Sequence, residues 1–259
     1  MDYHLKDKIV MITGAAGSIG EAIAEEFVKE GAKIFITDLD KAKLAEIKAG
    51  IGDNCAYKEA DITVFDDVKA VFEASKAAYG NTIDILVNVA GIIGNRAVED
   101  ITEEEWDKQF DVNCKGTFFF VKSAVPLMKK NKYGKIINFS SKSGKTGSAL
   151  MSHYCAAKGA IISFTQALAY ELAGDGINVN CLCPGIVDNS GVWSTVSAGY
   201  MENLKIGKEE LTRNMVAKIP LKRLAKIEDI VAVTLFLSSN GADYMTGQAI
   251  NVTGGREMH

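Results

Sequence analysis

Tyr154 and Lys158 stand four residues apart in a strongly helical stretch, about 152–173, and so share one helix face. A tyrosine with a pKa of about 10 is a poor proton acceptor at neutral pH. A cation one turn away favours the phenolate, and a positively charged ring bound alongside would favour it further. Such a pair suits moving a proton on and off a hydroxyl. Chance matches to Tyr-x-x-x-Lys are frequent, so the spacing to other groups carries the weight. Ser141 lies 13 residues before Tyr154, at the carboxyl end of a strand pattern, Lys135–Ser140. Its hydroxyl can donate to a substrate oxygen beside the phenol. Ser140 reads as a cap or turn residue. Asn113, a poor helix former, falls inside a long helical pattern that opens near Trp106, which suggests a kink or a held water.

A second constellation precedes this one. The first strand pattern runs into Thr13-Gly14-Ala15-Ala16-Gly17-Ser18-Ile19-Gly20, and a helix begins at once. Glycines in such a turn let backbone approach a pyrophosphate, and the helix N-terminus favours its charge. A tight strand–helix turn needs glycines too, so the next acid decides. Asp38 ends the second strand pattern, 18 residues beyond Gly20, where a carboxylate accepts hydrogen bonds from an adenosine ribose. The same charge repels a 2′-phosphate, at a cost on the order of several kcal/mol. Ala15, Ala16 and Leu39 offer no cation to offset it, so the expected coenzyme is NAD rather than NADP.

The elements that must position these groups are legible as alternation. Short β-branched runs recur at Lys8–Thr13, Ala32–Thr37, Cys55–Lys58, Ile83–Asn88, Lys135–Ser140, Ile177–Cys183 and Gln248–Val252. Between most of them lie amphipathic stretches such as Ser18–Glu30, Ala42–Ala49 and Val64–Tyr79. Strands alternating with helices imply right-handed crossovers and a parallel sheet, and strands without polar alternation imply helices on both faces. Two longer helical patterns follow, at about 106–131 and 152–173; Pro126 predicts a kink or break in the first. Residues 189–220 carry Gly191, Gly199 and Gly207 and no strand pattern, and read as a helical excursion that could act as a lid.

Composition narrows the classes further. The 259 residues are 47% hydrophobic and 24% charged, which is ordinary for a folded globular chain. The length fits one large α/β unit, expected to span 1–259 with 189–220 as a substrate lid. The net charge of −4 is spread along the chain, so no basic footprint argues for nucleic acid. Five cysteines without a C-x-x-C pair read as reduced thiols, not a disulfide framework or a metal site. Met1–Lys8 is no secretory signal, and no run of 18 apolar residues is present, so a cytoplasmic protein away from membranes is expected.

Taken jointly, these motifs resemble the short-chain dehydrogenase/reductase superfamily over essentially the whole chain. Its TGxxxGIG coenzyme motif corresponds to Thr13 to Gly20, with Ser18 at the motif's second Gly, and its adenine-contacting Asp to Asp61, followed by Ile62. Its Asn-Asn-Ala-Gly segment corresponds to Asn88-Val89-Ala90-Gly91, where Val89 replaces the second Asn. Its Pro-Gly segment beside the nicotinamide corresponds to Pro184-Gly185, with Ile186 and Val187 following, and Asn189 stands where many members carry a carboxamide-binding Thr. The resemblance implies a Rossmann-type, doubly wound, seven-stranded sheet. It also implies a catalytic set of Asn113, Ser141, Tyr154 and Lys158. Lys158 would bond the nicotinamide ribose, and Asn113 would hold a water in a proton relay.

The implied reaction is hydride transfer between a secondary alcohol and NAD. Around the expected pocket stand Lys142, Ser143, Lys145, His153, Asn95 and Asn189, with Trp193 as an apolar wall. The mixture suits a small hydroxyl-rich molecule. Residues 243–248, Asp-Tyr-Met-Thr-Gly-Gln, together with Pro-Gly-Ile-Val-Asp, look similar to polyol dehydrogenases and acetoin or butanediol reductases. A polyol, sugar alcohol or vicinal diol is therefore expected. Lys142 and Lys145 read either as a solvated loop or, with Arg256, as a site for a phosphorylated, carboxylated or sulfonated substrate. A 3-oxoacyl carrier-protein reductase shares the motifs but fits Asp38 and the negative charge poorly. A non-catalytic NAD sensor would not need the four catalytic residues. The resemblance also implies a homo-oligomer, dimer or tetramer, paired through the two long helices, with the 254–259 tail able to reach a neighbouring site.

Overall fold

A computed structural model describes residues 3–258, apart from the side chains at 192, 196, 198, 200 and 202–204. His259, the last residue of the tail considered above, lies outside the described residues. The chain alternates strand and helix through its first half: β1 (Ile9–Thr13), α1 (Ser18–Lys29), β2 (Lys33–Asp38), α2 (Lys41–Ile51), β3 (Cys55–Glu59), α3 (Phe65–Tyr79) and β4 (Ile85–Asn88). Then come α4 (Glu103–Phe110), α5 (Thr117–Asn131), β5 (Gly134–Phe139), the short α6 (Ser143–Thr146) and the long α7 (Ser152–Leu172). β6 (Ile177–Pro184), α8 (Gly191–Leu204), α9 (Lys208–Ala217), α10 (Ile227–Ser238) and β7 (Ala249–Val252) complete it.

The strands form one seven-stranded sheet in the order β3-β2-β1-β4-β5-β6-β7, every pair parallel. Alternate residues face opposite sides, as the period of two requires. Val10, Ile12, Ile34, Ile36, Val87 and Ile137 meet α1 and α10 residues in one apolar cluster. Met11, Phe35, Leu86, Ile136 and Val179 meet α3, α5 and α7 residues in the other. Both faces are covered, which is why the strand sequences lack polar alternation. The chain winds outward from β1 through β2 to β3, then returns to β4 on the other side of β1. The carboxyl ends of β1 and β4 therefore flank the switch point where such sheets bind ligands.

Two local features bear on the sequence expectation. Pro126 does not end its helix, since α5 runs on to Asn131. Pro126 and Lys122 are both exposed, so water can take the Lys122 carbonyl that the missing N–H leaves free. Asn113 marks a real irregularity. Residues Asp111–Gly116 widen into a π-helical turn between α4 and α5, a feature often found at functional sites. Among the described residues no helix is long and apolar enough to cross a membrane.

Candidate active site

The glycine turn after β1 is shaped by close contact with the loop after β4. Gly14 has φ +69°, and a Cβ there would lie 2.6 Å from both Cα and N of Ala90, so only glycine fits. Thr13 Oγ1 accepts the Ala90 N–H at 3.2 Å and joins the same two loops. Gly17 caps α1 without a side-chain bond, leaving the first turn of backbone N–H groups to an anion. Asp38, the last residue of β2, accepts from Ala16 N at 3.1 Å and Leu39 N at 2.7 Å, which holds its carboxylate at the rim of the turn. Asp61 is braced by Thr63, whose N–H and hydroxyl donate at 2.8 and 2.7 Å. Asn88 donates to Asn138 Oδ1 at 2.9 Å, tying β4 to β5 where the family's second Asn is absent.

The catalytic candidates converge at the carboxyl ends of β4, β5 and β6. Tyr154 and Lys158 lie on one face of α7 and are 7% and 5% exposed, with the ammonium 5.8 Å from the centre of the phenol ring. Lys158 Nζ donates to the Phe139 carbonyl at 2.8 Å, and Ser140 Oγ donates to the Lys158 carbonyl at 2.7 Å, so β5 fixes this turn of α7. Ser141 Oγ accepts from Ser143 N at 3.1 Å and stands within hydrogen-bonding range of the Tyr154 phenol. Asn113 clamps the loop after β4, donating to the Ile92 carbonyl at 3.0 Å and accepting its N–H at 3.3 Å. A Cβ on Gly91 would lie 2.7 Å from Asn113 Oδ1 and 3.1 Å from Lys158 Nζ, so this glycine keeps the floor of the cleft open.

The electrostatics differ from the sequence expectation. Burial pushes the Tyr154 phenol up to about 12, with a smaller opposing effect from the Ser141 hydrogen bond. Burial also pulls Lys158 from 10.5 down to about 8. Burial thus outweighs the expected depression of the phenol pKa by Lys158. Both groups are dry, and desolvation disfavours the charged form of each.

Gly14, Gly17, Ser18, Ile19, Gly20, Asp38, Leu39, Asp61, Ile62, Ala90 and Gly91 line one cleft of about 1930 Å³ with Ser141, Tyr154 and Lys158. Pro184, Gly185, Ile186, Val187, Ser143 and Trp193 line it too. Other expected residues stand elsewhere. Asn113 acts from behind the wall. Asn189 is exposed in a left-handed turn at φ +55°, and Ser190 lines the cleft instead, its Oγ accepting Trp193 N at 3.1 Å to cap α8. Lys145 donates to the Ala249 carbonyl at 2.7 Å, anchored to β7 and off the cleft wall. His153 is 2% exposed against Gly94 and Gln109, because one step along α7 from Tyr154 turns it to another helix face. Asn95 has its amide buried beneath Gly199 of α8. Sequence reasoning missed Ser190, Met151, Met215 and Lys218 on the wall; Lys218 lies just past α9 and carries no local signal.

The cleft fits a dinucleotide: a glycine floor, an unfilled helix N-terminus and a rim carboxylate, leading to a tyrosine, serine and lysine. The family described as enoyl-(acyl carrier protein) reductase matches residues 14–257. The chain belongs to the short-chain dehydrogenase/reductase superfamily. Galactitol 2-dehydrogenase of Agrobacterium fabrum is 41% identical, the alignment covering 98% of this chain and 99% of that one. Sorbitol dehydrogenase of Cereibacter sphaeroides is 35% identical over the same shares. A solved variant of actinorhodin polyketide ketoreductase with NADPH superposes with a TM-score of 0.93 at 29% identity, covering 98% of both chains. The protein is thus an oxidoreductase of the superfamily that works with a nicotinamide coenzyme.

Proposed function

We propose that this short-chain dehydrogenase is an NAD-dependent enzyme of one domain. It would interconvert a secondary alcohol, within a polyol, sugar alcohol or vicinal diol, and its ketone. The observation that carries the chemistry is the convergence of Ser141, Tyr154 and Lys158 on the cleft that also holds the glycine turn. When bound, the nicotinamide supplies the hydride acceptor. Gly14, Gly17, Ser18, Ile19, Gly20, Asp38, Leu39, Asp61, Ile62, Asn88, Ala90, Gly91, Pro184, Gly185, Ile186 and Val187 are the residues assigned to hold it. In its phenolate form, which Lys158 and a cationic nicotinamide ring would favour, Tyr154 takes the hydroxyl proton as the carbinol is oxidised, and Ser141 donates to the oxygen on which charge develops. Lys158 holds its charge toward the ribose and phenol, and Asn113 fixes the loop after β4 beside it.

The choice of NAD rests on Asp38. Among the described cleft residues from 14 to 63 there is no lysine or arginine, so a 2′-phosphate would meet only carboxylates. The polyol reading is supported by the galactitol and sorbitol dehydrogenase relatives. α8 and α9 pack on Ile219 and Leu224 through Trp193 and Leu211, and we assign them as the substrate lid. Incubation of the purified protein with NAD or NADP and a panel of polyols and diols, read by reduced-coenzyme absorbance, tests this. NAD-linked turnover is expected; turnover of none of them with either coenzyme would refute it. A cytoplasmic homo-oligomer, dimer or tetramer, completes the proposal, with Trp106 exposed on α4 and Phe118 on α5.

A further inference from the structure

The catalytic cleft is divided by charge. Its described carboxylates, Asp38, Asp61, Glu103, Glu104, Asp107 and Asp111, all come from the first half of the chain, where Lys108 is the one cation among the described lining residues. From Phe139 onward the described lining holds no carboxylate, and its charged side chains are Lys142, Lys158, Lys218 and Arg256. Lys158 serves Tyr154. The other three arrive from separate segments: the turn after β5, the end of α9 and the turn after β7. They are close enough to feel one another. Burial lowers the pKa of Lys142, and repulsion from Arg256 and Lys218 lowers it further.

Among the described residues compensation is thin. Glu257 Oε1 lies 4.0 Å from Lys142 Nζ and 3.5 Å from Arg256 Nε, one carboxylate for three cations. Glu257 lines the smaller adjoining cavity, which Lys142 and Arg256 also line, and not the catalytic cleft. Lys142 otherwise donates to Ser148 Oγ at 2.8 Å, and Arg256 Nη1 rests 4.0 Å from Met215 Sδ beneath the lid. Lys218, exposed at the end of α9, makes no ion pair among the described residues. Gathering like charges in a partly dry cleft is unfavourable unless an anion joins them. The coenzyme phosphates are met by the Gly14–Gly20 turn and leave this trio unused. Lys142 directly follows Ser141, so the trio belongs to the part of the cleft that receives substrate.

We propose that the preferred alcohol carries an anionic group remote from its carbinol, held by Arg256, Lys218 and Lys142. This deepens the dehydrogenase reading above and rests on it. Arg256 offers a planar pair of donors to a phosphate, carboxylate or sulfonate, and the lysines supply point charges. The trio also differs from the sequence expectation, since Lys145 is anchored away and Lys218 takes its place.

The test compares neutral diols and polyols with the same compounds bearing a terminal phosphate, carboxylate or sulfonate, using the full chain and NAD. One anionic series is expected to exceed its neutral counterpart in kcat/KM by about 10- to 100-fold, mainly through KM. That ratio is expected to collapse in Arg256→Gln and in Lys218→Gln and to shrink with added salt. Inorganic sulfate titrated calorimetrically into the NADH complex provides a readout without turnover; binding is expected, weakened in both variants. Neutral substrates turned over as well as every anionic one, with no sulfate binding, would overturn this inference and leave the dehydrogenase reading standing. Sulfate binding lost in the variants, with no alcohol oxidised, would instead sink the dehydrogenase reading and with it the substrate assignment.

Discussion

Replacing Lys158 with methionine should leave a pH-dependent signature in stability as well as abolish catalysis. The ammonium is 5% exposed, and burial lowers its pKa from 10.5 to about 8. Below about pH 8 the group is charged in both folded and unfolded chains, and the fold carries the whole cost of burying it. Above 10.5 it is neutral in both, and the cost is gone. Between these limits the unfolded chain binds more protons, so the stability of the native protein rises with pH. The interval from about 8 to 10.5, at about 1.36 kcal/mol per unit, amounts to about 3 kcal/mol. Methionine fills similar space without a charge, while the Phe139 carbonyl loses its donor at a pH-independent cost of about 1–3 kcal/mol. The stability of wild type minus variant should therefore be flat up to about pH 8 and climb by about 3 kcal/mol by about pH 10.5. Urea unfolding of the coenzyme-free proteins, followed by Trp106 and Trp193 fluorescence, gives this difference directly. Groups that Lys158 does not touch titrate in both proteins and cancel, while Cys114 and Cys183, whose thiolates Lys158 favours, add a smaller contribution. A difference that stays constant across the range would show that Lys158 is not desolvated as the fold implies, and the reasoning would fail.

Tyr154→Phe should lower turnover by at least about 10²-fold while NAD affinity, measured by coenzyme fluorescence, stays within about twofold. Asp38→Asn should shrink the NAD over NADP ratio of kcat/KM by about tenfold or more, since it removes the charge facing a 2′-phosphate and keeps an acceptor for Ala16 N. Lys145→Met should leave the KM of the preferred alcohol unchanged, because its ammonium is spent on the Ala249 carbonyl. The same variant should lose about 1 kcal/mol, seen as a Tm lower by about 2–4 °C.

Much of the site was legible because its signals are local. Tyr154 and Lys158 share a face by helical period alone, and Ser141 follows directly from the end of β5. The Gly14–Gly20 turn and Asp38 sit where a strand–helix–strand unit must put them. Asn113 was legible as an irregularity, and the fold shows its form: a π-helical turn whose amide clamps Ile92. The substrate side was far less legible. Lys142, Lys145 and His153 share a short stretch of chain and comparable chemistry. Yet Lys142 lines the cleft, Lys145 bonds a strand carbonyl and His153 is packed against a glycine. Nothing in their sequence neighbourhood separates them.

The amino-acid sequence by itself determined the parallel sheet, the glycine turn and the residues we propose for catalysis, because periodicity and strand-end positions depend on neighbours along the chain. Only the tertiary structure decided the charge of the substrate wall. Lys142, Lys218 and Arg256 meet through the packing of three segments far apart in sequence, and the direction of a long side chain is set by what surrounds it. The same holds for the proton-transfer pair. Spacing placed a cation beside a phenol, but burial governs both pKa values, and burial belongs to the folded whole.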